Sequence, residues 1–293
     1  MPMQNAPDLK ISVKGTTRVL GIIGDPIAHS LSPTMQNAAI AAAGIDAVYV
    51  PFHVKPDAIE QAIAALRALD ILGINVTVPH KESVMPFLDH IDSEAELIGA
   101  VNTIVNENGR LVGYNTDGRG FLQALELDLG FVPEGKSSVV LGAGGATRAA
   151  VEALARAGAD EVVVVNRTPE KAEQIVAEFE PHFPKTRFAA LPFDNGAEIA
   201  DAFAGADLLV NSTTCGLHGE QFQVPTIEKL RSDAVFFDMV YAPQLTPIQN
   251  LAKVRGLVFA DGRGMLAGQG DAAFELWFGQ AAPAGIMRSV IME

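Results

Sequence analysis

Four groups of residues have types and spacings that could do chemistry. Lys81 follows the end of the apolar run Ile71–Val78, and Asp117 lies at the end of the run Leu111–Gly118. A lysine held beside a carboxylate keeps its ammonium form and can pass a proton to or from an alcohol oxygen. Taken singly, Lys81 reads equally well as a solvated charge. Asp117 is the partner that would give it a role. Ser30 and Ser32 set two hydroxyls two residues apart in Asp25–Pro33, a stretch full of turn formers. Hydroxyls beside the N–H groups of a starting helix suit a carboxylate. The plainer alternative is that Ser32 only caps the helix that Pro33 opens. His29 reads as a loop histidine. Asn75 and Thr77 are two apart, so within a strand they share one face. Asn102 adds an amide able to bond a hydroxyl.

The fourth group is Val139–Arg148, VVLGAGGATR. An apolar run there meets Gly142, Gly144 and Gly145, which let the backbone turn tightly and approach a bulky anion. A helical stretch follows from Ala146 to Ala157. The N–H groups of its first turn would face whatever lies over the glycines, and for a dinucleotide that is the pyrophosphate. The fit to G-x-G-x-x-G is imperfect, because Thr147 stands at the third position, and many such turns bind nothing. The next strand, Glu161–Val165, ends in Asn166, Arg167 and Thr168, with Lys171 close behind. An NAD enzyme tends to place a carboxylate there to accept bonds from the ribose hydroxyls. A guanidinium instead pairs with a 2′-phosphate, so the absence of a carboxylate favours NADP. The alternative for Arg167 is a surface cation.

The elements that must hold these residues alternate. Val19–Gly24, Ala47–Phe52 and Ile71–Val78 read as strands. Met35–Ala43 and Pro56–Leu69 read as helices, the latter amphipathic through Ile59, Ile63 and Leu66. Gly99–Val105 and Leu111–Gly118 follow as two strands joined by a turn, and Gly118–Leu129 reads as a linking helix. Beyond the glycine turn come strands at Thr186–Ala190, Asp207–Asn211, Ala234–Met239 and Leu257–Ala260, a helix at Thr246–Arg255, and a final helical region from Asp261. The polar loop Ser212–Gly219, with Thr213 and Thr214, would border a bound cofactor. Alternation of this kind predicts an α/β fold with parallel sheets. Residues 1–17 read as an extension with a short strand near Ile11–Val13.

Length and composition bound the answer. A chain of 293 residues suggests about two domains, and 48% apolar residues suffice for sizeable cores. A net charge of −14 argues against nucleic acid and anionic membrane as partners. The single cysteine, Cys215, allows no internal disulfide, and no Cys/His cluster suggests a metal. No signal-peptide core or bilayer-spanning run is present, so a cytoplasmic location is expected. On that expectation the Asn-x-Ser/Thr triplets at Asn75, Asn166 and Asn211 are not glycosylation sites.

Together these residues resemble the shikimate dehydrogenase family from Gly21 to about Gln280. The matching pieces are HSLSP (29–33), NVTVPHK (75–81), GAVNT (99–103), NTDG (115–118), GAGGATR (142–148), NRT (166–168), DMVYAPQLTP (238–247) and GRGMLAGQ (262–269). Their ordered series is specific where each piece is not. The resemblance implies reversible reduction of 3-dehydroshikimate to shikimate with NADPH. It implies a two-domain molecule with a cleft: a substrate domain over 1–118, completed by 264–293, and a Rossmann-type doubly wound domain over 119–263. Ser30 and Ser32, with Tyr241 nearby, then look like ligands of the substrate carboxylate. Thr77, Asn102, Asp117 and Gln269 look like binders of the ring hydroxyls, with Asn75 behind them. Lys81 and Asp117 look like the catalytic pair. Gly142, Ala143, Gly144, Gly145 and Ala146 resemble the pyrophosphate turn, and Asn166, Arg167, Thr168 and Lys171 the 2′-phosphate clamp. Met239 and Gly262 would border the nicotinamide. The loop Ser212–Gly219 departs from the family's N-A-T-S-x-G-M type. A quinate/shikimate dehydrogenase of the same family is the nearest alternative. A non-catalytic NADP-binding regulator is another, against which both Lys81 and Asp117 are present. A monomer or a homodimer fits equally.

Overall fold

The computed structural model describes residues 13–217, 220 and 227–292. The expected strand near Ile11–Val13 and the end of the Ser212–Gly219 loop therefore fall largely or partly outside the described residues. The chain divides into two compact units. One runs to Thr116 and resumes at Leu266; the other spans Asp117–Met265.

The first unit is an α/β sandwich of three layers. Its elements run β1 (Arg18–Gly24), α1 (Ser32–Ala42), β2 (Ala47–His53), α2 (Ile59–Ala68), β3 (Gly73–Val76), β4 (His90–Ile91), α3 (Ser93–Ile98), β5 (Thr103–Glu107) and β6 (Arg110–Tyr114). The sheet order is β2-β1-β3-β5-β6-β4. β1 is parallel to both β2 and β3, while β5 runs antiparallel to β3 and β6. A central strand buried on both faces needs a continuous apolar run, and Leu20–Ile23 supply it. Met35, Phe274, Trp277 and Met287 pack on one face, and Ile59, Ile63, Leu66 and Ala95 on the other. Each large apolar side chain so buried contributes about 1.5–3 kcal/mol. Two contacts fix the returning chain. Trp277 donates its indole N–H to the carbonyl of Ile104 at 3.0 Å, and Gln36 donates to the carbonyl of Gly270 at 3.0 Å. A Cβ at Gly73 would meet the Trp277 ring at 2.3 Å, so this approach requires glycine.

Several boundaries differ from the sequence reading. β3 ends at Val76, not Val78, because Pro79 offers no N–H to continue the ladder; Thr77 lies just past the strand. β5 begins at Thr103 rather than Gly99, because Gly99 adopts φ 73° as the left-handed end of α3. Asp117 does not end a strand. It is the first residue of a helix, α4 (Asp117–Leu129).

The second unit continues with β7 (Ser137–Leu141), α5 (Gly145–Arg156), β8 (Glu161–Asn166), α6 (Pro169–Phe179), β9 (Arg187–Pro192), α7 (Gly196–Gly205), β10 (Leu208–Asn211), β11 (Val235–Asp238), α8 (Pro247–Val254) and β12 (Val258–Asp261). All five strand pairings are parallel, in the order β12-β11-β10-β7-β8-β9. This is the doubly wound arrangement. The first strand, β7, has β8 on one side and β10 on the other, so the strand order reverses there, and ligands bind at such a switch point. Phe121 of α4 packs edge-on against Phe237 of β11 at 5.3 Å. The long helix α9 (Arg263–Phe278) follows β12, and the short α10 (Ile286–Met292) ends the described chain.

Candidate active site

In the first unit the polar residues gather at the carboxyl ends of the parallel strands. Ser32 is 3% exposed and is the first residue of α1. It does not cap the helix: Leu31 holds the cap position, and no side chain bonds there. Ser30 instead takes the Ser32 N–H on its hydroxyl oxygen at 3.2 Å. The Ser32 hydroxyl bonds the Tyr49 phenol, which burial pushes well above its ordinary pKa and which stays protonated at every working pH. Asn37 clips α1 to β2 by exchanging bonds with the Tyr49 backbone at 2.8 and 2.9 Å.

From Tyr49 a buried network runs inward. Its hydroxyl donates to Asn75 Oδ1 at 2.7 Å. Asn75 donates to the Asn102 carbonyl at 3.2 Å and to the Thr103 hydroxyl at 3.0 Å. Because a backbone carbonyl only accepts, this fixes which way the Asn75 amide faces. Asn102 Oδ1 accepts from the Thr103 hydroxyl and the Thr116 N–H at 2.9 and 2.8 Å. Asn115 donates to the Ala100 carbonyl at 2.9 Å. Asn102 and Asn75 are thus held rigidly, and Asn75 lies behind the site, 3% exposed. His80 is structural: it is buried and bonds the Val54 carbonyl at 2.7 Å. That bond anchors the segment carrying Lys81, whose own carbonyl accepts from Val101 N–H at 2.8 Å. Lys81 is partly exposed. Asp117, 6% exposed, opens α4 immediately after the fixed Thr116. Gln269 is buried on α9, its amide donating to the Leu266 carbonyl at 2.8 Å.

In the second unit the glycine turn sits at the switch point. Gly142 has φ 119°, and a Cβ there would meet Ser212 Oγ at 2.9 Å and Thr147 Oγ1 at 3.0 Å. Around Gly144 a Cβ would meet nothing within 4 Å, so a ligand has room to approach that backbone. Thr147, the departure from the glycine pattern, has a task of its own. Its hydroxyl takes the Gly144 N–H at 3.0 Å and bonds the Ser212 hydroxyl at 2.7 Å. Ser212 in turn donates to the Leu141 carbonyl at 2.6 Å. The turn after β7 and the loop after β10 are therefore tied together.

β8 ends beside this turn, with Gly142 N–H donating to the Val165 carbonyl at 2.9 Å. Asn166 donates to the Thr168 carbonyl at 2.9 Å, which shapes the loop into α6. Arg167 and Thr168 are exposed on that loop, and Lys171 is exposed in the first turn of α6. The only acidic residue in the first turn of α6 is Glu170. The glycine with left-handed φ, the open approach at Gly144, the helix start and the cations at the strand end all fit a phosphorylated dinucleotide. Arg148 is engaged elsewhere, pairing with Glu178 at 2.6 Å over the Phe179 ring.

Met239 and Tyr241 follow the end of β11, and Gly262 follows the end of β12. Gly262 is packed so tightly that a Cβ would lie 2.2 Å from the Met239 carbonyl. Tyr241 has its pKa raised by burial and by Asp261. Sequence reasoning missed Asp238, the last residue of β11, fully buried and surrounded by four donors. Its carboxyl pKa is raised by burial, against the pull of bonds from Val240, Asn211, Thr246 and Gln249. A signal was present in the sequence: Asn211 and Asp238 each close an apolar strand with a polar residue. Among the described residues no group of three or more His, Cys, Asp or Glu could hold a metal ion, and no helix is long and apolar enough to cross a membrane.

Comparison with known proteins covers nearly the whole chain. Residues 22–104 match the shikimate dehydrogenase substrate binding domain, 131–242 the shikimate/quinate 5-dehydrogenase domain, and 262–292 the shikimate 5′-dehydrogenase C-terminal domain. The shikimate dehydrogenase (NADP(+)) of Geobacter sulfurreducens is 48% identical over 278 residues, covering 95% of this chain and 97% of that one. A shikimate dehydrogenase solved in complex with NADP+ superposes with a TM-score of 0.87 at 38% identity, covering 97% and 98% of the two chains. The Thermus thermophilus shikimate 5-dehydrogenase, solved with NADP(H) and shikimate, gives a TM-score of 0.82 at 36% identity, covering 94% and 99%.

Proposed function

Since the chain belongs to the shikimate dehydrogenase family, we propose that it reversibly reduces 3-dehydroshikimate to shikimate with NADPH, in the shikimate pathway of aromatic amino acid biosynthesis. It is an NADP-dependent oxidoreductase acting on a CH–OH group. The first unit serves as the substrate domain and the second as the NADP domain. One observation carries the cofactor choice: β8 closes on Asn166, with Arg167 next in the chain, beside the Gly142 turn, where an NAD enzyme would set a carboxylate.

NADPH supplies a hydride from its nicotinamide ring. The residues of this chain do the rest. Gly142, Ala143, Gly144, Gly145 and Ala146 hold the pyrophosphate on the start of α5, and Asn166, Arg167, Thr168 and Lys171 hold the 2′-phosphate. Met239 and Gly262 border the ring that reacts. Ser30 and Ser32 grip the substrate carboxylate with Tyr241, and this grip decides which ring carbon is presented. Thr77, Asn102, Asp117 and Gln269 bind ring hydroxyls, and Asn75 sets Asn102 in place. As the substrate carbon is reduced, its oxygen gains negative charge. Lys81 stabilises that charge and donates the proton, and Asp117 aims it. In the oxidative direction Lys81 takes the proton back.

Lys81→Ala tests the assignment. Loss of a positioned proton donor should lower kcat by roughly 10²–10⁴-fold with little change in KM for shikimate. An unchanged kcat would remove Lys81 from the mechanism.

A further inference from the structure

Among the described residues, Asp238 is a fully buried carboxylate whose two oxygens are ringed by donors from three separate segments. On Oδ1 it accepts from Asn211 Nδ2 at 2.8 Å and from Val240 N–H at 3.1 Å. On Oδ2 it accepts from Gln249 Nε2 at 2.9 Å and from Thr246 Oγ1 at 3.0 Å. The donors come from the end of β10, the turn after β11, and the start of α8. Each donor also organises its own segment. Asn211 accepts from Thr213 N–H at 3.0 Å and Thr213 Oγ1 at 2.8 Å, which shapes the loop after β10. Gln249 bonds the Val240 carbonyl at 3.1 Å and takes the Thr246 N–H at 3.0 Å, closing a capping box on α8. Met239, next in the chain, is pinned between this turn and Gly262, and its N–H donates to the Asn211 carbonyl at 2.9 Å.

We infer that Asp238 is a positioning residue for the nicotinamide end of the cofactor: its carboxylate ties the loops after β10 and β11 into one surface. This rests on the reading of Met239 and Gly262 as nicotinamide neighbours. A buried carboxylate is costly to desolvate, and four donors offset that cost only while all converge. The charge is thus held where geometry must be exact, and not where the adenosine half binds. The Gly142 turn and Arg167 lie on the opposite side of β10 in the strand order and share no bond with Asp238 among those described.

Asp238→Asn keeps the shape but turns one acceptor oxygen into an NH2 facing two donors. Three measurements on the whole purified protein decide the inference: kcat, KM for shikimate, and affinity for 2′,5′-ADP, which reports the adenosine half alone. The expected result is a kcat lower by roughly tenfold to a hundredfold, as for a small misplacement of reacting groups. KM for shikimate and 2′,5′-ADP affinity should stay within about twofold, on the same misplacement argument. Hydride transfer should also become more limiting, read as a larger kinetic isotope effect with NADPH deuterated at the transferred position. Should Asp238→Asn not fold, Gln249→Met removes one donor at similar volume and should give the same pattern, weaker. An unchanged kcat, or a parallel loss of kcat and 2′,5′-ADP affinity, overturns the inference. Wild-type protein that fails to oxidise shikimate with NADP+ would instead overturn the functional reading on which it stands.

Discussion

At the residue scale, the proposed cofactor choice rests on one side chain just past the end of β8. A guanidinium at Arg167 would give a charge-assisted contact worth about 1.5–3 kcal/mol to a 2′-phosphate and little to a ribose hydroxyl. Arg167→Ala should therefore raise KM for NADP+ by roughly tenfold to a hundredfold. KM for NAD+ should move by less than about threefold. Steady-state kinetics with each cofactor checks this, and equal losses would place the phosphate contact elsewhere. Arg167 and Lys81 stood out in the sequence as candidates, Arg167 because it follows a strand end and Lys81 only once Asp117 offered it a partner. Tyr49 did not. Its hydroxyl reaches Asn75 across β1, which depends on the pairing of β1 with both β2 and β3, and no local spacing encodes that pairing. Asp238 was missed for the same reason, since its partner Asn211 lies 27 residues away.

At the element scale, the glycine turn works as part of a pair of loops. Thr147 replaces a fingerprint glycine and uses its hydroxyl to bind Gly144 N–H and Ser212. Thr147→Val keeps the volume and removes both bonds. The variant should lose about 0.5–1.5 kcal/mol of stability, the net worth of a typical hydrogen bond. KM for NADP+ should rise with it while KM for shikimate holds. A denaturant midpoint and paired KM values measure this, and an unchanged midpoint would contradict it. The sequence made the turn visible but made Thr147 look like a defect, because the Ser212 partner comes from the loop after β10, 65 residues on. Strand existence was legible from apolar runs; strand ends were not. Val78 is apolar enough to extend β3, yet Pro79 stops the ladder. Asp117 follows an apolar strand, yet its role as the first residue of α4 wins.

At the scale of the whole molecule, the order of polar motifs carried more than any element. The α/β class was legible from strand–helix alternation, the doubly wound domain from the family resemblance, and the strand order came only from the structure. One group ties the fold to pH. Burial raises the Asp271 carboxyl to about 6 from 3.8, and its Oδ1 has no partner among the described residues. A folded pKa above the unfolded value means that ionisation opposes folding. The cost is absent below about pH 4 and grows as pH rises through about 6. Asp271→Asn should therefore raise stability by about 1–2 kcal/mol at pH 8, discounted for partial exposure, and not at pH 4. Thermal midpoints at the two pH values test it, and an equal shift at both would contradict it. The most direct test of the whole account is the initial rate of the purified protein with shikimate and with quinate, each with NADP+ and with NAD+. Shikimate with NADP+ should give the highest kcat/KM of the four. Quinate faster than shikimate, or NAD+ preferred to NADP+, would contradict it.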